Sequence, residues 1–218
     1  MELDKYLTVD VETTAQFVEQ RSRFIGYIAH VENECDALEY IKNKRNEFHD
    51  ARHVCYAFKL RDGSVRSNDD GEPSGTAGRP ILGRIESAGL LDVVAVVIRY
   101  FGGVKLGTSG LIKAYRMATE LVLDEVPVVE RNIYTTMRCS FYYEQMNSVM
   151  QMVKKFNIEV RDRSYQDTKC TFILGIKPSM CSSIISYVLD LRKEIELEKC
   201  NCNGCQYRNV FKFREDRF

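Results

Sequence analysis

Apolar and polar positions alternate near the start of the chain. "AQFVEQ" and "RFIGYIAHV" have the period of two that sends successive side chains to opposite faces of a strand, and they predict an opening pair of strands near 12–20 and 23–31. The period then lengthens. In "NECDALEYIKNKRNEF" the apolar side chains Leu38, Ile41 and Phe48 recur at helical spacing behind Asn33, whose short polar side chain suits an N-cap. "RHVCYAFKL" returns to strand composition, and a glycine-rich loop follows it. "AGRPILGRIESAG" reads as a helix started by Pro80 and closed by Gly89. "LLDVVAVVIRYF" is a nearly unbroken β-branched run, which predicts a strand buried on both faces. "TSGLIKAYRMATELVLDEV" is an amphipathic helix with Leu111, Tyr115, Ala118 and Val122 on its dry stripe and Lys113, Arg116, Glu120 and Asp124 on its wet one.

Pro127 ends that helix, and "PVVERN" reads as a connection between domains. From 132 the pattern runs strand ("IYTTMRCSF"), helix ("YEQMNSVMQMVKKF"), strand ("IEVRDRSY"), strand ("KCTFILGI"), helix ("PSMCSSIISYVLDLR") and strand ("EIELEKC"). This βαββαβ order is that of a ferredoxin-like split sandwich. The expected class is therefore α+β, with one domain over 1–131 and a second over 132–218.

Composition narrows the function classes. Hydrophobic content of 44% and charged content of 28% are those of a globular, water-soluble chain. The opening "MELDKYLTVDVETT" is charged and lacks the apolar run of a secretion signal, and "VVAVVI" at 93–98 is far too short to span a bilayer. The expectation is a cytoplasmic protein, away from membranes, with its eight cysteines as reduced thiols. A net charge of zero argues against an avid nonspecific nucleic-acid binder. The distribution is less even, since residues 1–131 carry 17 Lys/Arg against 21 Asp/Glu. Within that acidic half, residues 79–116 hold Arg79, Arg84, Arg99, Lys105, Lys113 and Arg116 against only Glu86 and Asp92.

The same region holds most of the glycine. Nine of 13 glycines fall between Gly71 and Gly110, seven of them in the stretches "SNDDGEPSGTAGRPIL" and "RYFGGVKLGTSGLIKAYR". The second stretch comes close to a P-loop: Gly102, four residues, then Gly107-Thr108-Ser109, between a strand and a helix. Thr108 stands where that motif needs lysine, and Lys105 lies inside the loop, which argues against nucleotide hydrolysis. The physics still favours an anion, because a helix N-terminus offers unpaired N–H groups and glycines admit close approach. Lys113 and Arg116 precede Glu120 and Asp124 along the helix, the order its dipole disfavours; Arg116–Glu120 pairing offsets part of that. The alternative is a solvated face with incidental charges.

"NDDGEP" has two readings as well. Asp69, Asp70 and Glu72 form either a carboxylate cluster for a hard cation or acid–base work, or a set of Asx-type turns with glycines at positive φ. His49 and His53 are four apart, but the helix is expected to end before Arg52, so they do not share a helix face. No nucleophile set is recognisable. "CNCNGC" supplies Cys200, Cys202 and Cys205 without an adjacent fourth ligand, so neither a metal site nor any cofactor is expected.

These residues resemble a known family. "DDGEPSGTAGRPIL", followed by "RYFGGVKLGTSGLIKAYR", resembles the signature of the YigZ/IMPACT family, and Asp50, Ala51 and His53 in "DARH" resemble its upstream motif. The second half resembles the small C-terminal domain of two-domain bacterial members. The resemblance implies a first domain with the fold shared by a ribosomal-protein domain (domain 2-like β-α sandwich) and domain IV of elongation factor G. It implies a second domain like domain V of that factor, and a role in translational control. It implies no enzymatic activity.

Three functions compete at this stage. One is an RNA- or ribosome-associated regulator of translation holding phosphates weakly through Arg79, Arg99, Gly102, Gly103, Lys105, Gly107, Lys113 and Arg116. Beside it stands the signature loop of Asp50, His53, Asp69, Asp70, Gly71, Glu72, Pro73, Ser74, Gly75 and Thr76. The second is an enzyme acting on a phosphorylated small molecule, with Asp69, Asp70 or Glu72 holding a metal. The third is an adaptor that binds a translation-control protein without touching nucleic acid. The lack of a complete catalytic set favours a binding module.

Overall fold

The computed structural model describes residues 4–191, 193–200 and 210–211. Two units divide the chain, Tyr6–Arg131 and, separately, Asn132–Phe218 with Met1–Lys5. Both are mixed α/β with antiparallel main sheets.

The first unit is built on a five-stranded sheet. Its strands are β2 (Thr13–Glu19), β3 (Ser22–His30), β4 (His53–Lys59), β5 (Val65–Asn68) and β6 (Val93–Tyr100), in the order β2-β3-β6-β4-β5. The central strand β6 explains its own sequence. Val93, Ala95 and Val97 join a core with helices α2 (Gly78–Ser87) and α3 (Gly107–Glu125). Val94, Val96 and Ile98 join another core, which includes Ala37 of helix α1 (Glu34–Glu47). An unbroken apolar run fits an antiparallel strand here because helices cover both faces. Asn33 caps α1 as its sequence predicts, its Oδ1 accepting from Asp36 N at 3.0 Å. The dry stripe of α3 is buried as expected.

Three local expectations change. Strand β1 (Lys5–Val9) and the four-residue β5 went unpredicted, and "PVVERN" is not a bare connection: it forms β7 (Val128–Asn132), which pairs with β1. Glu120 pairs with Arg84 of α2 at 2.9 Å rather than with Arg116, tying α2 to α3.

The second unit follows the predicted βαββαβ order and adds one unpredicted edge strand after it. Its strands are β8 (Thr135–Tyr142), β9 (Glu159–Gln166), β10 (Lys169–Ile176), β11 (Ile195–Cys200) and β12 (Val210–Phe211), ordered β12-β11-β8-β10-β9. Helices α4 (Met146–Lys155) and α5 (Cys181–Asp190) pack on one face through Val149, Met152, Ile184 and Val188, against Met137, Cys139, Phe172 and Leu174. The alternate residues Arg138, Tyr142 and Lys169 are exposed on strands β8 and β10.

Candidate functional site

The signature loop between β5 and α2 uses its carboxylates internally. Asp69 accepts three backbone N–H groups, from Gly75 (2.8 Å), Ala77 (2.9 Å) and Gly78 (2.8 Å). It thereby caps α2, whose own N-cap position, Ala77, has no side chain to offer. Burial opposes ionisation of Asp69, but those N–H donors outweigh it and hold the carboxyl below its ordinary range. Gly78 is a steric necessity, since a Cβ there would lie 2.7 Å from the backbone nitrogen of Asn68. Asp70, at φ +42, accepts from Val54 N at 2.6 Å and pairs with Arg45. Of the two readings of "NDDGEP", the geometry has the Asx type: Asp70 N also donates to Asn68 Oδ1 at 2.7 Å.

Glu72 is the buried member. Its side chain is 4% exposed, and its Oε1 accepts from Arg99 Nη1 at 2.6 Å and from the Tyr115 hydroxyl at 2.8 Å. Arg99 is thus corrected from a phosphate contact to a core residue. It occupies the face of β6 shared by Val93, Ala95 and Val97, and its charge is matched by Glu72. Arg99 Nη2 also donates to Ser22 Oγ at 3.3 Å. Burial above all, then the nearby Cys55 and Glu72, pushes the Tyr115 phenol up, so it stays neutral and donates. Burial likewise pushes up the Cys55 thiol, which lies 3.0 Å from the Asp69 carbonyl and 3.4 Å from the Tyr115 hydroxyl, so it stays protonated. His53 sits on β4 beside this network. Its Nδ1–H donates to the Asp70 carbonyl at 2.8 Å, and its Nε2 lies 3.8 Å from Glu72 Oε1. Asp50 accepts from the Tyr100 hydroxyl at 2.7 Å, which holds its carboxyl low.

The second glycine loop behaves differently. Gly102 is fixed by close approach: a Cβ there would lie 2.0 Å from the backbone of Arg21, in the β2–β3 turn where Gln20 and Arg21 both have positive φ. Its N–H donates to Ser22 Oγ at 3.2 Å. Beyond it, Gly103 and Gly107 have positive φ, and Lys105 and Thr108 are exposed. Helix α3 starts without a side-chain cap or a carboxylate in its first turn, leaving its leading N–H groups without partners from the helix.

The expected cation set is dispersed. Lys105 lines a cleft of about 430 Å³ together with His53, Gly71, Glu72, Arg99 and Thr108. Lys113 lines a separate groove between α3 and β2 that includes Phe17 and Met117. Arg79 and Arg116 line neither. Arg79, Lys105, Lys113 and Arg116 are exposed, and none makes an ion pair with a described residue. Ser74 is exposed, and the Thr76 hydroxyl donates to the Pro73 carbonyl at 2.6 Å. Sequence reasoning missed Ser22, Cys55 and Tyr115 as site residues. Tyr115 carried a signal, because a phenol on a helix's dry stripe needs a hydrogen-bond partner.

Among the described residues no three His, Cys, Asp or Glu side chains are grouped to hold a metal ion; Cys202 and Cys205 of "CNCNGC" lie outside those residues. No described helix is long and apolar enough to cross a membrane.

The Impact N-terminal domain family model matches residues 20–123. The IMPACT family member YvyE of Bacillus subtilis is 35% identical over 167 residues, 76% of this chain and 77% of its own. An IMPACT family member of Haemophilus influenzae is 37% identical over 165 residues, 72% of this chain and 78% of its own. The chain belongs to the IMPACT family. The crystal structure of a hypothetical protein superposes with a TM-score of 0.67 at 26% identity, covering 92% of this chain and 100% of its own. The two-domain translational regulator Yih1 superposes at a TM-score of 0.32, over 55% of this chain, too little overlap to transfer its role.

Proposed function

We propose that the protein is a non-enzymatic, RNA- or ribosome-associated regulator of translation in the cytoplasm. The observation that carries this reading is the surface around the first half of α3: Arg79, Lys105, Lys113 and Arg116 are exposed, and the first turn of the helix holds no acidic residue. Such a surface attracts phosphates weakly and without sequence preference. Membership of the IMPACT family supports the translational role through the resemblance drawn above. The strand order β11-β8-β10-β9, with the helices placed βαββαβ, supports a ferredoxin-like second domain. For the first domain, the two-face helix packing on an antiparallel sheet fits the proposed likeness to domain IV of elongation factor G.

The metal-bearing enzyme is the weaker reading, because Asp69, Asp70 and Glu72 are each committed to protein donors. The deciding experiment is cosedimentation of the purified protein with ribosomes, with and without nuclease. Release by nuclease is the expected result. Binding that withstands nuclease and high salt would favour the protein-binding adaptor, with a translation-control protein as its partner.

A further inference from the structure

We propose that the groove between α3 and strand β2 docks a second copy of this chain, with β2 pairing antiparallel to β2 and α3 lying beside α3 about a twofold axis. Strand β2 is an edge. All seven of its residues pair with β3 in unbroken register, and no described strand lies on its other side. Proteins ordinarily protect such edges by shortness, charge or a bulge. The opposite edge of the same sheet, β5, has four residues and carries Arg66. Edge strand β9 of the second unit holds Glu159, Arg161, Asp162 and Arg163, and its register with β10 shifts between Ile173 and Leu174. From Thr13 to Val18, β2 has neither a charge nor a proline, and Val18 is 65% exposed.

Beside this edge the groove measures about 380 Å³, with Phe17 on its strand side and Leu106, Met117 and Leu121 across from it. Met117 is 46% exposed. The charges along the groove identify the occupant. Lys113 lines it one turn before Met117, while Asp124 and Glu125 follow Leu121 by three and four residues and continue the same stripe of the helix. All three are exposed, and none has an ion pair with a described residue. Glu19 lines the Lys113 end too, and the exposed Arg21 follows it in the turn, so that end keeps two cations against one carboxylate. The stripe is therefore basic at one end, apolar in the middle and acidic at the other. Two such stripes laid antiparallel set each Lys113 against the acidic end of the other, whereas laid parallel they set like against like. A twofold axis produces the antiparallel arrangement, with each contact made twice.

Strand and helix share one centre. Phe24 meets the Tyr115 ring edge-on, and Gly26 lies against Ala118. Those two residues of β3 are the register partners of Phe17 and Ala15. Gln16, the middle of β2, is therefore level with the part of α3 around Met117, so a single axis serves both elements. The charge order that the dipole of a lone helix disfavours becomes attractive across that axis. The inference goes beyond the phosphate-binding reading and shares only Lys113 with it, since Arg79, Lys105 and Arg116 line no part of the groove.

The test is sedimentation velocity of the full chain from about 1 μM to about 500 μM. The expected result is a reversible monomer–dimer equilibrium with a Kd of about 1–100 μM, the weak end suited to a small interface. Lys113→Glu and Asp124→Lys each set like charges against one another across the axis, and each should raise Kd by about tenfold or more. The double variant restores opposite charges and should return Kd to within about threefold of the parent. Met117→Glu places two carboxylates at the axis and should weaken the dimer as strongly. These side chains are exposed, so the variants keep the fold. Asp124→Lys also separates the two readings, because it dissolves the dimer and leaves in place every cation proposed to meet phosphate. A chain that stays monomeric to about 500 μM would overturn the inference. So would a dimer that the single swaps leave intact, or a double swap that dimerises no better than either single one.

Discussion

In the loop from Asp69 to Gly78 nearly every polar group is consumed inside the protein: Asp69 on the α2 amides, Asp70 on Val54 and Arg45, Glu72 on Arg99 and Tyr115. In the loop from Phe101 to Gly110 the backbone is anchored at Gly102, but Lys105, Thr108 and Ser109 face solvent and the amides of α3 have no cap. Both stretches are rich in glycine and polar side chains, and composition alone does not separate them. The difference lies in which of them is adjacent to unsatisfied backbone. The first spends Asp69 on a helix start that lacks its own cap. The second presents a helix start that nothing in the first turn neutralises. One loop is closed on itself, and the other leaves its polar side chains facing solvent.

The largest effect should come from breaking the scaffold at its buried ion pair. Glu72→Ala leaves Arg99 charged, buried and without a counterion, and removes the acceptor of Tyr115. Removing one member of a buried pair costs about 3–5 kcal/mol. Hydrogen exchange at the β6 amides reports the unit that contains the pair, and protection there should fall by several orders of magnitude. Adding Arg99→Met should restore much of the loss, because two apolar replacements leave no charge stranded. A Glu72→Ala protein within about 1 kcal/mol of the parent would show that the first loop is not held by this pair.

Asp69 tests the same loop at its helix cap. Asp69→Ala strips three N–H groups of their acceptor and should cost about 2 kcal/mol, the upper end for a lost cap. The pH dependence has a definite sign. The folded carboxyl is held below its ordinary value, so its contribution is complete above the unfolded value of about 4 and is lost as pH falls through the lower folded one. Asp69→Asn should therefore lower stability at neutral pH and flatten its decline below about pH 4. Parallel acid-unfolding curves for parent and variant would remove Asp69 from the account.

Much of this scaffold was legible, and the residues that were not share a cause. The cap at Asn33, the two-sided burial of β6 and the stripe of α3 follow from periods of two and 3.6, which local sequence carries. Arg99 could have been placed by the same parity, since it falls on the face of Val93, Ala95 and Val97, and a buried cation there demands a carboxylate. Which carboxylate is a tertiary fact: Glu72 is 27 residues away, across a helix. The strands β1 and β5 are five and four residues long and take their conformation from their partners, so propensity alone does not find them. The separation of Lys105 from Lys113 was likewise invisible to a count of charges along the chain, because it depends on which groove each helix face borders.

The smallest expected effect on folding, and the sharpest on binding, is at the open surface. Lys113 and Arg116 are exposed on α3 and make no ion pair with a described residue, so Lys113→Ala and Arg116→Ala should each shift stability by less than about 0.5 kcal/mol. Alanine is itself a good helix former, which offsets the lost side-chain contacts. If these cations meet phosphates of single-stranded RNA, each substitution should make the log–log salt slope of binding shallower by about 0.7, equally for all sequences. Lys105→Ala should do the same. Fluorescence anisotropy of a labelled oligonucleotide over a salt series measures it. A triple variant that folds normally and keeps the parent's slope would mean that these cations carry only solvation. The two glycine loops would then differ in accessibility and not in function.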